Sequence, residues 1–240
     1  MIKATENEYS KGKQKGSVAM KILENLWQVG GAEYTTVEDA AIYLVRFGEK
    51  AILIDSGSGQ EHEQLVENIS QVLPPNVAIE YLFLTHCHYD HTGGAQKIRD
   101  HYSCKIVAHE LDSAYLENGD DQVTAAVWYD AQMNPLKIDY IIKNKNETFQ
   151  IGKGRLIAHH CPGHSPGSVV YLVQLGPVKV LFGQDVHGPL DPTLLSDRED
   201  YRNSLNFMLD LKADILCEGH FGIYRGKEKV QEFIGSFLVD

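Results

Sequence analysis

Apolar and polar positions divide the chain into short strands and amphipathic helices. The apolar runs 41–47 and 51–54 are separated by a three-residue turn, which predicts two neighbouring strands. Leu65, Ile69 and Val72 then recur at helical spacing and predict a helix. Other apolar runs of strand length predict strands at residues 79–84, 105–108, 138–143, 155–160, 168–175, 178–184 and, as the last one, 213–217.

Helical patterns lie between these runs. Residues 92–102 and 110–117 have helical spacing, and apolar residues of 230–238 predict a closing helix. Ser196 and Glu199 have the spacing of a capping box, in which a hydroxyl and a carboxylate satisfy free N–H groups at a helix start.

The domain organisation follows from this alternation. Strands and helices are mixed throughout residues 20–240 without a linker, which predicts a single layered α/β domain. Residues 1–19 are polar and rich in lysine, and we expect a flexible N-terminal arm there.

Composition excludes several function classes. The formal net charge is −11 at pH 7. Because nucleic-acid binding requires neutralisation of phosphates by Lys and Arg, such an acidic chain is a poor candidate for it. The same charge gives no attraction to anionic membrane surfaces. The sequence shows no export signal, and its four cysteines lack the spacing of a disulfide scaffold. We therefore expect a cytoplasmic protein that binds a small-molecule substrate and neither nucleic acid nor membrane.

Metal-binding side chains concentrate directly after the strand predicted at 79–84. Four such residues follow it within a short segment: His86, His88, Asp90 and His91. Burying so many polar side chains only for packing would cost free energy, because each buried polar group needs a hydrogen-bond partner. His86 and His88 project to the same side of an extended backbone and can reach one metal ion. Asp90 and His91 follow a turn and can face a second ion.

The segment His86-Cys87-His88-Tyr89-Asp90-His91 resembles the H-x-H-x-D-H motif of the metallo-β-lactamase superfamily. Four more segments resemble other motifs of that family, in the family's order: residues 53–57, 161–168, 183–185 and 217–220. The resemblance spans roughly residues 20–240. It implies a four-layer αββα sandwich, with two mixed sheets flanked by helices.

The resemblance also implies a dinuclear hydrolase in which a hydroxide bridges two metal ions. Its seven metal ligands would be His86, His88 and His164 for one ion, Asp90, His91 and His220 for the other, and Asp185 as the bridge. Zn²⁺ is the expected metal, two per chain, with iron or manganese as alternatives. Asp90 would also transfer a proton, and Asp55 would orient the ligands from behind.

Four further residues adjoin these motifs. If the strand continues past Asp185, His187 projects to the same side and is a candidate for contact with the substrate. Cys87, Cys161 and Cys217 lie beside ligand positions. Because the ligand set is complete without them, we interpret these cysteines as small buried residues.

Substrate class is predicted from the candidate pocket walls. Tyr115, Trp128 and Tyr129 are neutral and aromatic, whereas phosphate recognition favours Arg and Lys. Small esters, thioesters or lactones are therefore favoured over phosphodiesters. The irregular segment 118–134 is the candidate substrate lid, with a homodimer contact as the alternative.

Other functions stay open at this stage. Persulfide dioxygenases of the same family bind iron and keep a similar ligand set, so a redox enzyme of that kind is the main alternative. A phosphodiesterase and a non-catalytic metal-binding module are the others.

Overall fold

The computed structural model describes residues 19–183 and 185–238, which form two β-sheets stacked face to face between two layers of helices. Both sheets contain parallel and antiparallel pairs. The predicted four-layer αββα sandwich with two mixed sheets is confirmed. Of the predicted N-terminal arm, residues 1–18 lie outside the described residues, and Ala19 is buried.

The first sheet follows the order of its strands along the chain. Its seven strands are β1 (Met20–Leu23), β2 (Leu26–Gly30), β3 (Ile42–Phe47), β4 (Lys50–Ile54), β5 (Ala78–Phe83), β6 (Lys105–His109) and β7 (Tyr140–Ile142). Strands β4 to β7 are parallel, so their carboxyl ends meet at one edge of the sheet. Asp55 and the segment beginning at Thr85 leave the sheet at this edge.

The second sheet has the spatial order β13-β12-β11-β10-β9-β8. Its strands are β8 (Asn146–Ile151), β9 (Gly154–His160), β10 (Val169–Leu175), β11 (Val178–Phe182), β12 (Ile215–Cys217) and β13 (Ile223–Arg225). Strands β11 and β12 are parallel neighbours. Asp185 and His220 therefore follow the carboxyl ends of adjacent strands.

The described residues form six helices, of which five cover the outer faces. They are α1 (His62–Val72), α2 (Tyr89–Thr92), α3 (Ala95–Tyr102), α4 (Glu110–Asn118), α5 (Arg198–Asp210) and α6 (Lys227–Gly235). Helix α2 lies at the edge of the first sheet where Thr85 leaves it. Leu65 and Ile69 of α1 pack on the first sheet, as their spacing predicts. Leu205 of α5 and Val230 of α6 pack on the second sheet. Among the described residues, no helix is both long and apolar enough to cross a membrane.

The structure corrects two local predictions. The helix predicted from Ser196 begins one residue later, because Asp197 is the N-cap and its side chain accepts a hydrogen bond from Asp200 N. Ser196 instead donates its hydroxyl to the His164 carbonyl at 2.7 Å. The strand predicted at 213–217 is not the last one, since β13 follows it.

Two buried tyrosines connect the sheets at the edge where Asp55 and Thr85 emerge. Tyr171, on β10, donates its hydroxyl to the Leu84 carbonyl at 2.6 Å. Tyr43, on β3, donates to the Glu218 carbonyl at 2.7 Å. Both rings lie in the apolar core between the sheets. Each hydroxyl therefore joins its own sheet to a backbone carbonyl that follows a strand of the other sheet. Both carbonyls lie close in sequence to a candidate metal ligand.

We expect Tyr171→Phe to lower the free energy of unfolding by about 1–3 kcal/mol, because the buried Leu84 carbonyl loses its donor. Chemical denaturation measures this. Tyr140→Phe is the matched control, since the Tyr140 hydroxyl bonds to Glu147 at the surface. Equal stability of the two variants would show that the bond between the sheets contributes no more than a surface bond.

Candidate metal centre

The first group of ligand side chains meets beyond the ends of β5 and β11. His86, His88, His164 and Asp185 each offer one donor atom, these atoms lie within 4.8 Å of one another, and all four residues are buried. His86 Nε2 lies 2.9 Å from His88 Nδ1, so these imidazoles converge as their spacing predicts. Three imidazoles and a carboxylate suit a divalent transition metal.

The second group lies beside the first. Helix α2 turns the chain directly after His88 and carries Asp90 and His91, while His220 comes from the loop after β12. His220 Nε2 lies 3.1 Å from Asp90 Oδ2 and 3.3 Å from His91 Nε2. The donor atoms of this group also lie within 4.8 Å of one another.

Asp185 joins the two groups. Its Oδ1 lies 3.1 Å from His91 Nε2, in the second group. Its Oδ2 lies 3.4 Å from His164 Nε2, in the first group, and 3.4 Å from His220 Nε2. One carboxylate thus contacts imidazoles of both groups, which is the geometry a bridging ligand requires.

Hydrogen bonds behind the cluster set the orientation of three imidazoles. His91 Nδ1 donates to Asp55 Oδ2 at 2.8 Å. The Thr85 hydroxyl donates to the same oxygen at 2.8 Å and accepts from His86 Nδ1 at 3.0 Å. His164 Nδ1 donates to a backbone carbonyl at 2.9 Å. With Nδ1 protonated, each ring directs the lone pair of Nε2 towards the centre.

The charges of the cluster favour a bound cation. Burial lowers the pKa of His88 to about 3, so this imidazole is neutral. Burial also opposes a charge on His220, but Asp185 and Asp90 nevertheless raise the pKa of His220 to about 10. Burial would raise the pKa of Asp185, yet His91 and His220 hold it well below its usual range. The ionised carboxylates therefore attract positive charge to this point.

The donor set fits divalent metal ions. Among the described residues, His88 Nε2, His164 Nε2 and Asp185 Oδ1 are buried and make no contact with hydrogen-bond geometry, although Asp185 lies close to His91 and His164. An unpaired buried polar atom costs about 1–3 kcal/mol, which a coordinated ion would offset. A Cβ at Gly219 would lie 2.3 Å from Asp185 Oδ1 and 3.1 Å from the His91 ring, so only glycine leaves this space free.

Asp112 is a buried carboxylate that the sequence did not identify. It lies on α4 and accepts from Cys87 N at 2.8 Å, from the Ser165 hydroxyl at 2.7 Å and from Gly167 N at 2.6 Å. Cys87 stands between two ligands of the first motif, and Ser165 follows His164. One side chain thus fixes two ligand loops to each other.

Glu218 fixes the loop after β12, which carries the ligand His220. It is fully buried and accepts from His220 N and Phe221 N, both at 2.7 Å. Its other oxygen accepts from His187 Nδ1 at 2.8 Å. Although Asp185, His187 and Glu218 lie close enough to hold an ion, these hydrogen bonds already engage both oxygens of Glu218.

His187 lies at the cavity beside the metal ligands, but for a different reason from the one predicted. Strand β11 ends at Phe182, so strand periodicity past Asp185 does not place it. The bond to Glu218 holds its ring 5.3 Å from the ring of His220. The substrate contact predicted for His187 stays a prediction.

The segment 118–134 supplies one wall of the same cavity. Trp128 and Tyr129 line it, in a 3-10 turn at Ala126–Tyr129. Tyr115 does not belong to this wall, because α4 directs it towards the core on the outer face of the first sheet. Periodicity alone could not decide which side of α4 faces the cavity.

The four cysteines of the chain are buried and form no disulfide. None belongs to a group of potential metal ligands among the described residues. Burial raises the pKa of Cys161 to about 12 and that of Cys104 to about 11, which keeps both thiols protonated. Their positions agree with the interpretation as small buried residues.

A family model and several curated proteins match this sequence. Residues 35–220 match the model of the metallo-beta-lactamase superfamily. A protein of Methanocaldococcus jannaschii named "Probable metallo-hydrolase" is 30% identical over 74% of this chain and 85% of its own length. An acyl-coenzyme A thioesterase of Gallus gallus is 24% identical over 85% of this chain and 80% of its own length. A flavo-diiron protein of Clostridium acetobutylicum is 28% identical over 58% of this chain and 34% of its own length.

Solved structures show the same fold. A mutant metallo-beta-lactamase from Cronobacter sakazakii superposes with a TM-score of 0.74 over 92% of this chain and 94% of its own, at 20% identity. The matched range of the family model includes all seven candidate ligands, from His86 to His220.

We expect Asp112→Asn to lower both the stability of the fold and the affinity for metal, although Asp112 is not itself a candidate ligand. Both carboxylate oxygens of Asp112 accept hydrogen bonds, whereas asparagine has only one acceptor oxygen. Its NH₂ group would therefore face an N–H or O–H donor with which it cannot bond. The free energy of unfolding should fall by about 1–3 kcal/mol. Metal affinity, measured by competition with a chelator, should fall about 10–100-fold, as for other residues that orient ligands.

Asp214→Asn is the matched control for Asp112→Asn. Asp214 also accepts a hydrogen bond from a backbone N–H, that of Lys179 at 2.8 Å, but it lies directly before β12, at the opposite end of this strand from His220. The Asp214→Asn variant should leave metal affinity unchanged. If Asp112→Asn binds metal as tightly as this control, Asp112 does not position the ligand loops.

Proposed function

Since the chain belongs to the metallo-β-lactamase superfamily, we propose that it is a dinuclear metal-dependent hydrolase of small carboxylic esters, thioesters or lactones. The position of Asp185 carries this proposal. Its carboxylate contacts imidazoles on both sides, between two groups that together supply six further ligands. Such an arrangement suits two ions that share one ligand.

The proposed ligand assignment follows the two groups. His86, His88 and His164 would hold the first ion, Asp90, His91 and His220 would hold the second, and Asp185 would be shared by both. Zn²⁺ suits these nitrogen and oxygen donors, with iron or manganese as alternatives. When bound, a metal pair of this kind lowers the pKa of a water between the ions and polarises the substrate's carbonyl oxygen.

Asp90 is the proposed catalytic proton carrier. Its carboxylate faces both His220 and the cavity, and it interacts with the Tyr129 phenol. Burial and Asp90 both raise the pKa of Tyr129, so the phenol stays protonated and can donate a hydrogen bond. From this position Asp90 can accept a proton from the attacking water and deliver it to the leaving group.

The size and lining of the cavity support a small acyl substrate. The space beside the ligands is about 150 Å³, and Trp128, Pro189 and Leu194 form its apolar walls. Its lining contains no Lys or Arg among the described residues. Phosphate groups are usually bound by such side chains, so carbonyl substrates fit better than phosphodiesters.

We expect close to two metal ions per chain after gentle purification, by elemental analysis. His220→Ala should lower this value towards one, because it removes one of the three side chains specific to the second group. Folding is checked by circular dichroism. Full activity at a clean value of one ion per chain would refute the dinuclear mechanism.

The reaction class is tested with a panel of substrates on the metal-loaded chain. Initial rates are measured on p-nitrophenyl acetate, an acyl thioester, a γ-lactone and bis-p-nitrophenyl phosphate. At least one acyl substrate should have a higher kcat/KM than the phosphodiester. Asp90→Asn should lose about 10²–10⁴-fold in kcat on it, the usual contribution of proton transfer.

The opposite results identify the alternatives. A kcat/KM for the phosphodiester well above all acyl substrates would identify a phosphodiesterase. No hydrolysis, together with bound iron and oxygen consumption in the presence of a persulfide, would identify the redox alternative. Asp90→Asn with both metals and near wild-type turnover would remove Asp90 from the mechanism.

A further inference from the structure

Tyr129 brings a hydroxyl group into the cavity that contains the candidate metal ligands. This cavity has a volume of about 150 Å³, and both Asp90 and Tyr129 line it. The phenol interacts with the Asp90 carboxylate by a side-chain hydrogen bond. Since the candidate ligand set is complete without Tyr129, its hydroxyl is available to a substrate.

The element that carries Asp90 also fixes the position of the Tyr129 ring. The centroid of this ring lies 5.7 Å from that of Tyr89, the first residue of α2. Tyr89 N donates to the Thr124 carbonyl at 2.8 Å, and Ala126 is fully buried at the start of the 3-10 turn. Because one short helix contacts the phenol and carries the carboxylate, the two groups are positioned together.

The cavity offers few neutral hydrogen-bond donors besides this phenol. Of the described residues that line it and are not candidate ligands, only Trp128 and His187 carry a side-chain N–H. His187 donates its Nδ1 hydrogen to Glu218 at 2.8 Å, so in the neutral ring Nε2 is an acceptor. Trp128 is 52% exposed, whereas Tyr129 is partly buried. The phenol is therefore the neutral donor at the side of Asp90.

Proton delivery by Asp90 determines where the leaving atom of the substrate lies. A proton passes between groups that are about 2.6–3.2 Å apart, so the leaving oxygen must approach the Asp90 carboxylate as its bond to the carbonyl carbon breaks. The Tyr129 hydroxyl interacts with the same carboxylate and is thus a neighbour of the leaving oxygen. The carbonyl oxygen, by contrast, is the atom that a bound metal pair polarises.

The strength of the hydrogen bond depends on the leaving atom. A hydrogen bond to a charged acceptor is roughly twice as strong as one between neutral groups, so a phenol stabilises the negative charge that develops on a leaving oxygen. Sulfur is a weak acceptor, and a leaving thiolate gains less from the same donor.

We propose that the Tyr129 hydroxyl donates a hydrogen bond to the leaving oxygen, and that the site therefore favours oxygen esters and lactones over thioesters. Asp90 takes a proton from the attacking water as the water oxygen bonds to the carbonyl carbon. The bond from this carbon to the leaving oxygen then breaks, its electron pair stays on that oxygen, and Asp90 returns the proton to it. Tyr129 keeps its own proton. This inference rests on the proposed acyl hydrolysis and goes beyond it by naming the leaving atom.

A series of acetate esters tests the hydrogen bond to the leaving oxygen. The full-length, metal-loaded chain and its Tyr129→Phe variant are assayed with p-nitrophenyl, phenyl and p-methylphenyl acetate, whose leaving groups increase in basicity in this order. The loss of kcat/KM in the variant should grow along the series, to about 10–100-fold for the last ester. The p-nitrophenyl ester should lose least, because its leaving group needs little stabilisation.

A thioester separates oxygen from sulfur at similar basicity of the leaving group. Phenols and alkyl thiols ionise within about two pH units of each other, so phenyl acetate is compared with S-ethyl thioacetate. Tyr129→Phe should lower kcat/KM for the thioester clearly less than for phenyl acetate. An equal loss on both would overturn the preference for oxygen esters.

Two controls separate this role from a structural one. Tyr115→Phe removes a phenol hydroxyl outside the cavity, since α4 directs Tyr115 towards the core, and should lower kcat/KM for none of these substrates. The metal content of Tyr129→Phe, by elemental analysis, should equal that of the unmodified chain. A lower metal content would assign Tyr129 to the metal centre instead of the leaving oxygen.

The inference and the proposed function fail differently. A loss in Tyr129→Phe that is equal for all three acetates, or no loss on any of them, would overturn the role of Tyr129 and leave acyl hydrolysis standing. No hydrolysis of any ester, thioester or lactone by the unmodified chain would overturn the proposed function itself.

Discussion

The structure depends on holding five imidazoles and two carboxylates together in a buried place, although each of them is most stable in water or with hydrogen-bond partners. Buried carboxylates outside the cluster meet this constraint. Asp55 orients His91 directly and His86 through a hydroxyl, Asp112 connects the first two ligand loops, and Glu218 holds the third. The ligand loops are thus fixed by N–H and O–H bonds to carboxylates that lie behind them.

The sandwich provides the frame for this arrangement. Parallel neighbours in each sheet bring the carboxyl ends of β4, β5, β11 and β12 to one edge, and each end leads into a loop with ligands or their supports. The hydroxyls of Tyr43 and Tyr171 bond across the core to carbonyls at that same edge. Ligands from two sheets therefore meet although more than a hundred residues separate them in sequence.

The sequence predicted the parts whose signal is local. The spacing of His86 and His88, the helical stripe of α1 and the apolar strands β3 and β4 each depend on neighbours in the chain. Strand β8 was missed because only two of its six residues are buried at an edge of the sheet. Asp112 was missed because an acid on a short helix has the pattern of a surface residue, and its partners at Cys87 and Gly167 are distant in sequence.

The anchoring of the ligand loops by carboxylates has a consequence for how the protein acquires its metal. In small zinc domains the ion organises the chain, so binding and folding are one event. Here Asp55, Asp112 and Glu218 hold the loops by hydrogen bonds, and we therefore expect the folded chain to bind and exchange ions without unfolding. Affinity for divalent ions rises in a fixed order that the ligands alone do not reverse. We therefore expect the metal found in a preparation to reflect which ions surrounded the folded protein.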